Sequence, residues 1–201
     1  MSSQIEICNL SLIKFGDVTI TDINDTTSKE ARSLKAIWNI KRDELLKKFP
    51  WNFAMARADL GAHTTTTPLG DEYDYEYSLP SGCLRVWKLF SGSKFVVEGN
   101  KLLTNDLETD DSVIIQYIKQ ITDISLYTSE FCICFAFELA IELAPKLAGE
   151  AGKAMRELLK KEYLIYQKEA YRLNAFEGNP FDDDNEKPVD EGLYTWQKEG
   201  R

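Results

Sequence analysis

The run from Lys41 to Leu60 constrains this chain more than any other stretch. Its first half, Lys-Arg-Asp-Glu-Leu-Leu-Lys-Lys, consists of good helix formers in helical spacing. Pro50 ends that helix, because proline has no N–H and pushes the preceding Phe49 out of the α region. Phe49, Trp51 and Phe53 follow at alternate positions, so an extended segment after Pro50 puts them on one face, beside the end of the helix. The run reads as the joint between a helical half and a β half.

Before the joint, Ser3 and Glu6 have the spacing of a capping box, and Ile5, Cys8, Leu12 and Phe15 share a helical stripe that Gly16 closes. A short extended piece, Val18-Thr19-Ile20, leads to a second helix capped by Thr27 or Ser28, with Ala31, Leu34, Trp38, Leu45 and Phe49 near one face. After the joint the hydrophobic period changes to two. A polar loop spans Thr64 to Gly70, and Tyr73, Tyr75, Tyr77 and Leu79 then alternate with polar residues as in a strand. Leu84 to Leu89 makes a second strand, and Phe95 to Glu98 forms a tight hairpin with Lys101 to Thr104 around Gly99-Asn100. Asp111 to Ile118 adds one more, and strands joined by short turns imply an antiparallel sheet. The helical period then returns. Asp123 or Ser129 caps a segment, Phe131 to Ala144, that is apolar nearly all round and suits the centre of a bundle, and Pro145 kinks or closes it. Gly149 to Gly152 breaks the chain before a long, charged fourth helix ending at Phe176-Glu177-Gly178. The expected fold is α+β: a helical bundle of about four helices from 1–50 and 122–176, an inserted antiparallel β domain from 51–121, and an extended acidic C-terminal tail from 177–201.

The formal charge of −9 argues against a protein that grips nucleic acid through its phosphates, which requires clustered Lys and Arg. Cys8, Cys83, Cys132 and Cys134 contain no CxxC pair, and Cys132 and Cys134 on one helix point apart, so all four read as reduced, mostly buried apolar residues. The N-terminus has no basic and apolar leader, and no stretch approaches the roughly 20 apolar residues of a membrane span. The expectation is a soluble chain assembled in a reducing cytoplasm.

Residues in chemically suggestive patterns are few. His63 has no cysteine or carboxylate at ligand or triad spacing and reads as a solvated loop residue. Glu138 and Glu142 lie four apart on the apolar helix, where they suit a polar edge or an interhelical ion pair better than acid–base work, since the histidines of di-metal carboxylate helices are absent. Phosphate-binding glycine motifs do not occur, and Tyr73, Tyr75 and Tyr77 fit a packed sheet face or a subunit contact better than a base-stacking platform. No catalytic, metal or cofactor residue is assigned. The tail differs. Asp182-Asp183-Asp184, Glu186, Asp190 and Glu191 are accompanied by Phe181, Leu193, Tyr194 and Trp196, and a purely solubilising tail has no use for Trp, so these four are the partner-binding candidates.

In order along the chain stand Ile7-Cys8-Asn9-Leu10-Ser11-Leu12 with Gly16, then Arg42-Asp43-Glu44-Leu45-Leu46 running into Phe49-Pro50-Trp51-Asn52-Phe53-Ala54 with Arg57. Tyr77-Ser78-Leu79-Pro80, Cys83-Leu84-Arg85-Val86, Val97-Glu98-Gly99 with Leu102-Leu103-Thr104, Tyr117-Ile118, Thr122-Asp123 and Glu142-Leu143-Ala144 follow. Over residues 3 to 175 this series resembles the tail tubular protein A family, the head-to-tail adaptors of short-tailed bacteriophages, most specifically at the joint. The resemblance implies a structural virion protein with a helical bundle and a β domain, about twelve copies of which form a ring. That ring sits between the portal protein and the tail nozzle protein, in the virion tail, around a channel through which DNA passes during ejection without specific binding. An acidic wall agrees with such a channel, since it has little affinity for phosphate. The tail matches no family motif, and its docking on the portal follows from its own anchors. Two other functions remain to be separated: a tail-associated peptidoglycan hydrolase, and a non-viral interaction module with the same bundle.

Overall fold

The computed structural model describes residues 3–64, 72–105 and 113–178. The rest of the expected polar loop after Thr64, the start of the last strand at Asp111, and the tail candidates Phe181, Leu193, Tyr194 and Trp196 lie outside the described residues.

Within them the fold is α+β, with four α-helices and two small antiparallel sheets. Helix α1 (Gln4–Ile13) opens on the expected capping box, with Ser3 accepting from the Glu6 amide at 3.2 Å and Glu6 accepting from the Ser3 amide at 2.7 Å. Val18-Thr19-Ile20 forms no strand. The Asn9 side chain takes the place of one, accepting from the Ile20 amide at 2.8 Å and donating to its carbonyl at 2.9 Å.

Helix α2 (Lys29–Lys48) is capped by Ser28 and stops where Pro50 requires, with Phe49 already extended at φ −146° and ψ 145°. The next residues correct the expected extended segment: Asn52–Ala54 form a 3-10 turn, into which proline's fixed geometry delivers the chain. Phe49, Trp51 and Phe53 still cluster, with Phe49 and Phe53 at 5.3 and 6.3 Å from Trp51 between ring centroids.

The β region is two three-stranded sheets rather than one. Strands β1 (Met55–Asp59), β6 (Ile114–Lys119) and β3 (Cys83–Leu89) form the first, in that order, and β2 (Tyr75–Ser78), β5 (Lys101–Thr104) and β4 (Phe95–Glu98) the second. β1 was not expected, because Met-Ala-Arg-Ala-Asp lacks the branched and aromatic residues that favour strands. Its pairing with β6, from Met55↔Ile118 to Asp59↔Ile114, makes it a strand. The hairpin at Gly99-Asn100 forms as expected, with Glu98 opposite Lys101 and Gly99 at φ +57°.

Thr128, rather than Asp123 or Ser129, caps helix α3 (Ser129–Leu147); Asp123 caps the short 3-10 turn Ile124–Leu126 before it. Pro145 lies inside α3 near its end, and the break comes at Gly149, which has φ +60° and starts helix α4 (Gly149–Gly178). From Phe131 to Ala144 only Ile133 and Glu142 escape full burial, so α3 is the centre around which α1, α2 and α4 pack. One apolar cluster joins these helices to Trp51, Ala54, Ile118 and Ile121, and a second lies under the strands around Tyr77, Leu102, Ile115 and Tyr117.

Candidate functional site

Ring contacts and side-chain hydrogen bonds from three helices converge on the joint. Trp51 is fully buried, and its indole N–H donates to the Leu45 carbonyl at 3.2 Å, satisfying one of the unpaired acceptors at the end of α2. Phe49 stacks on Tyr171 of α4, with centroids 3.8 Å apart and planes 7° from parallel. Phe53 and Trp51 both meet Phe131 of α3 edge-on. Asn174 of α4 closes the assembly: its side-chain oxygen accepts from the Asn52 amide at 2.9 Å, its side-chain amide donates to the Pro50 carbonyl at 3.3 Å, and its carbonyl accepts from the Asn52 side chain at 2.6 Å. Nothing in the sequence pattern singled out Asn174, because a lone buried Asn near a helix end carries no periodic signal.

The other side of α2 ties the helices to the first sheet. Arg42 is buried although charged, donating to Asn39 at 3.0 Å and to Asp43 at 2.8 Å, while the other oxygen of Asp43 accepts from Gln120, just past β6, at 2.7 Å. Arg85 of β3 donates to the Lys47 carbonyl at 3.3 Å.

Glu138 and Glu142 form the interhelical ion pairs that their spacing suggested. Glu138 is nearly buried and meets Lys48 of α2 at 2.7 Å, with Lys41 at 3.9 Å; Glu142 meets Lys41 at 3.4 Å, and Glu44 bridges both lysines at 3.0 Å. Burial alone lowers the pKa of each lysine, but hydrogen bonds and charges outweigh it, chiefly Glu44 at Lys41 and Glu138 at Lys48, so both ammonium groups are held above the usual lysine range. Glu44 is held below its ordinary value, first by its hydrogen bond to Lys48. The Tyr163 hydroxyl beside the network is pushed up by burial and then by the Glu138 carboxylate. These partners pair the carboxylates of α3 with the lysines of α2, an arrangement for holding the two helices together.

His63 is not a freely solvated loop residue: its ring is half-buried 5.2 Å from Tyr75, and Nδ1 has no hydrogen-bond partner among the described residues. Tyr77 is fully buried and Tyr75 half-buried, which makes this strand face part of a core rather than a stacking platform. Cys8, Cys132 and Cys134 are buried and Cys83 half-buried, all unbridged; burial holds the Cys8 and Cys134 thiols up to about 12.

Among the described residues hollows open on the surface. One, of about 370 Å³, lies between Tyr73, ahead of β2, and Lys94, just before β4, and one of about 330 Å³ lies beside Trp38, Asn39 and Arg42. Among the described residues no group of three or more His, Cys, Asp or Glu side chains could hold a metal ion, and no helix is long and apolar enough to cross a membrane. In comparison with known proteins, the chain matches no family model and no curated protein.

Proposed function

We propose that this chain is a structural virion protein, a connector that sits as a ring between portal and tail nozzle of a short-tailed bacteriophage and surrounds the channel through which DNA is ejected. The observation that carries the reading is the joint. The residues of the most specific part of the resemblance, Arg42-Asp43 and Phe49-Pro50-Trp51-Asn52-Phe53-Ala54, are those that lock α2, α3, α4 and the first sheet to one another. A connector must hold two neighbours in fixed relation, and a joint made of packed aromatics and paired amides resists bending as a free linker does not.

The formal charge of −9 supports a channel wall over which phosphate slides. The tail anchors Phe181, Leu193, Tyr194 and Trp196 dock on the portal and order as they bind, and the chain transforms no substrate. Purified protein mixed with portal rings gives a ring-shaped complex by size and negative stain; failure to form one overturns the reading. A cell-wall zymogram separates it from a peptidoglycan hydrolase: no clearing is expected, and clearing lost in Glu142→Gln establishes the enzyme instead.

A further inference from the structure

The register of the first sheet places Arg57 of β1 and Lys88 of β3 on either side of Gln116 of β6. A register shift between Val86 and Lys88 leaves both Trp87 and Lys88 exposed. Phe90, just beyond β3, is 42% exposed, and two cations converge on its ring, the Arg57 guanidinium at 4.9 Å and the Lys88 ammonium at 5.0 Å. Trp87 is 40% exposed with Arg85 at 5.5 Å, and Ile114 is 40% exposed. Among the described residues none of Arg57, Arg85 and Lys88 is in an ion pair. The carboxylate on the same strand, Asp59, is engaged by the Gly61 amide at 2.8 Å. An acidic protein has thus gathered, on one sheet face, exposed aromatic rings and cations that form no ion pair among the described residues.

We propose that, in the chain free of any portal, this outer face of the β1–β6–β3 sheet is the docking surface for the chain's own C-terminal segment, residues 179–201, which leaves the face when a partner takes it up. Charge and aromatic complementarity together favour this occupant, since the acidic run from Asp106 to Asp111 ahead of β6 carries no ring. Asp182-Asp183-Asp184 and Glu186 supply the carboxylates that Arg57, Arg85 and Lys88 lack, and Tyr194 and Trp196 supply rings for Trp87 and Phe90. The point of departure agrees, because Asn174 holds the end of α4 to Asn52, three residues before β1 begins. The 23 residues after Gly178 reach up to about 75 Å when extended, against a diameter of about 40 Å for a compact body of this size. That length suffices to span the distance to the face with α4 in place. The inference requires neither a ring nor a portal, so it stands or falls apart from the function proposed above.

The test uses the full chain with the photo-crosslinker benzoylphenylalanine in place of Trp196, irradiated as an equal mixture of isotopically light and heavy protein. Adducts within one chain, on the peptides that carry Arg57 or Trp87 to Phe90, are expected. They fall about fivefold in the Arg57→Glu/Lys88→Glu double variant and in high salt, as for solvent-accessible charge contacts, and persist in Arg57→Lys/Lys88→Arg. Unchanged melting of both variants verifies their fold. Adducts joining light to heavy chains assign the face to a second copy and overturn the proposal, as do adducts confined to other surfaces, adducts insensitive to charge reversal, or no adducts on this face.

Discussion

At Gly152 the sequence suggests a helix break, yet the residue lies inside α4. A Cβ there would overlap the Ala144 carbonyl oxygen of α3 and press on Pro145. Glycine is required by the close approach of two helix ends, a constraint that no sequence window displays. Gly152→Ala removes a flexible residue from a helix, which alone favours folding by about 1 kcal/mol. The overlap reverses the sign, and a net loss of about 1–3 kcal/mol is expected as a lower urea midpoint with unchanged slope. The ion network follows a similar logic. Lys48→Met leaves the nearly buried Glu138 with the more distant Lys41 as its cation, costing about 1–3 kcal/mol, whereas Glu142→Gln, at a more exposed site, costs under about 0.5 kcal/mol. The double variant Lys48→Met/Glu138→Gln loses less than the sum of its single changes, and denaturation of the four proteins of the cycle checks this.

At the scale of elements, what was legible in the sequence is what local chemistry decides. The capping box of α1, the stop of α2 at Pro50, the Gly99-Asn100 hairpin and the all-round apolar α3 each carry their cause within a few residues. β1 does not, because its partner β6 lies some sixty residues away and pairing overrides the weak strand preference of Met-Ala-Arg-Ala-Asp. The division of the strands into two sheets was illegible for the same reason, as was Arg57 beside Lys88, a neighbourhood that exists only once β6 lies between them. The α4 clamp belongs here too. Asn174→Ala leaves the Asn52 amide and the Pro50 carbonyl without their partners, with a loss of about 2 kcal/mol expected. Amide exchange should quicken at Asn52 while protection in β5 is unchanged, which places the loosening at the joint rather than across the molecule.

For the whole molecule, the buried acids set its behaviour in alkali. Cys8 and Cys134 titrate at about 12 in the folded chain against 9.0 ordinarily, and Tyr127 and Tyr171 at about 12 against 10.0, in every case mainly because burial disfavours the anion. Between pH 9 and 12 the unfolded chain therefore binds fewer protons than the folded one, so stability falls as pH rises; below pH 9 this contribution is fully present. Urea midpoints measured across that window should decline steadily, and Cys8→Ala/Cys134→Ala should decline less steeply. The plan of the chain carries a different consequence. It leaves the helices on β1 and returns on β6, and these are adjacent, with the Leu60 amide bonded to the Val113 carbonyl at 2.9 Å where they part. Outgoing and incoming threads share a single doorway. Apart from β3, which comes back to pair with β6 and to meet α2 through Arg85, what lies beyond it can be lengthened, trimmed or traded for another module without moving the posts.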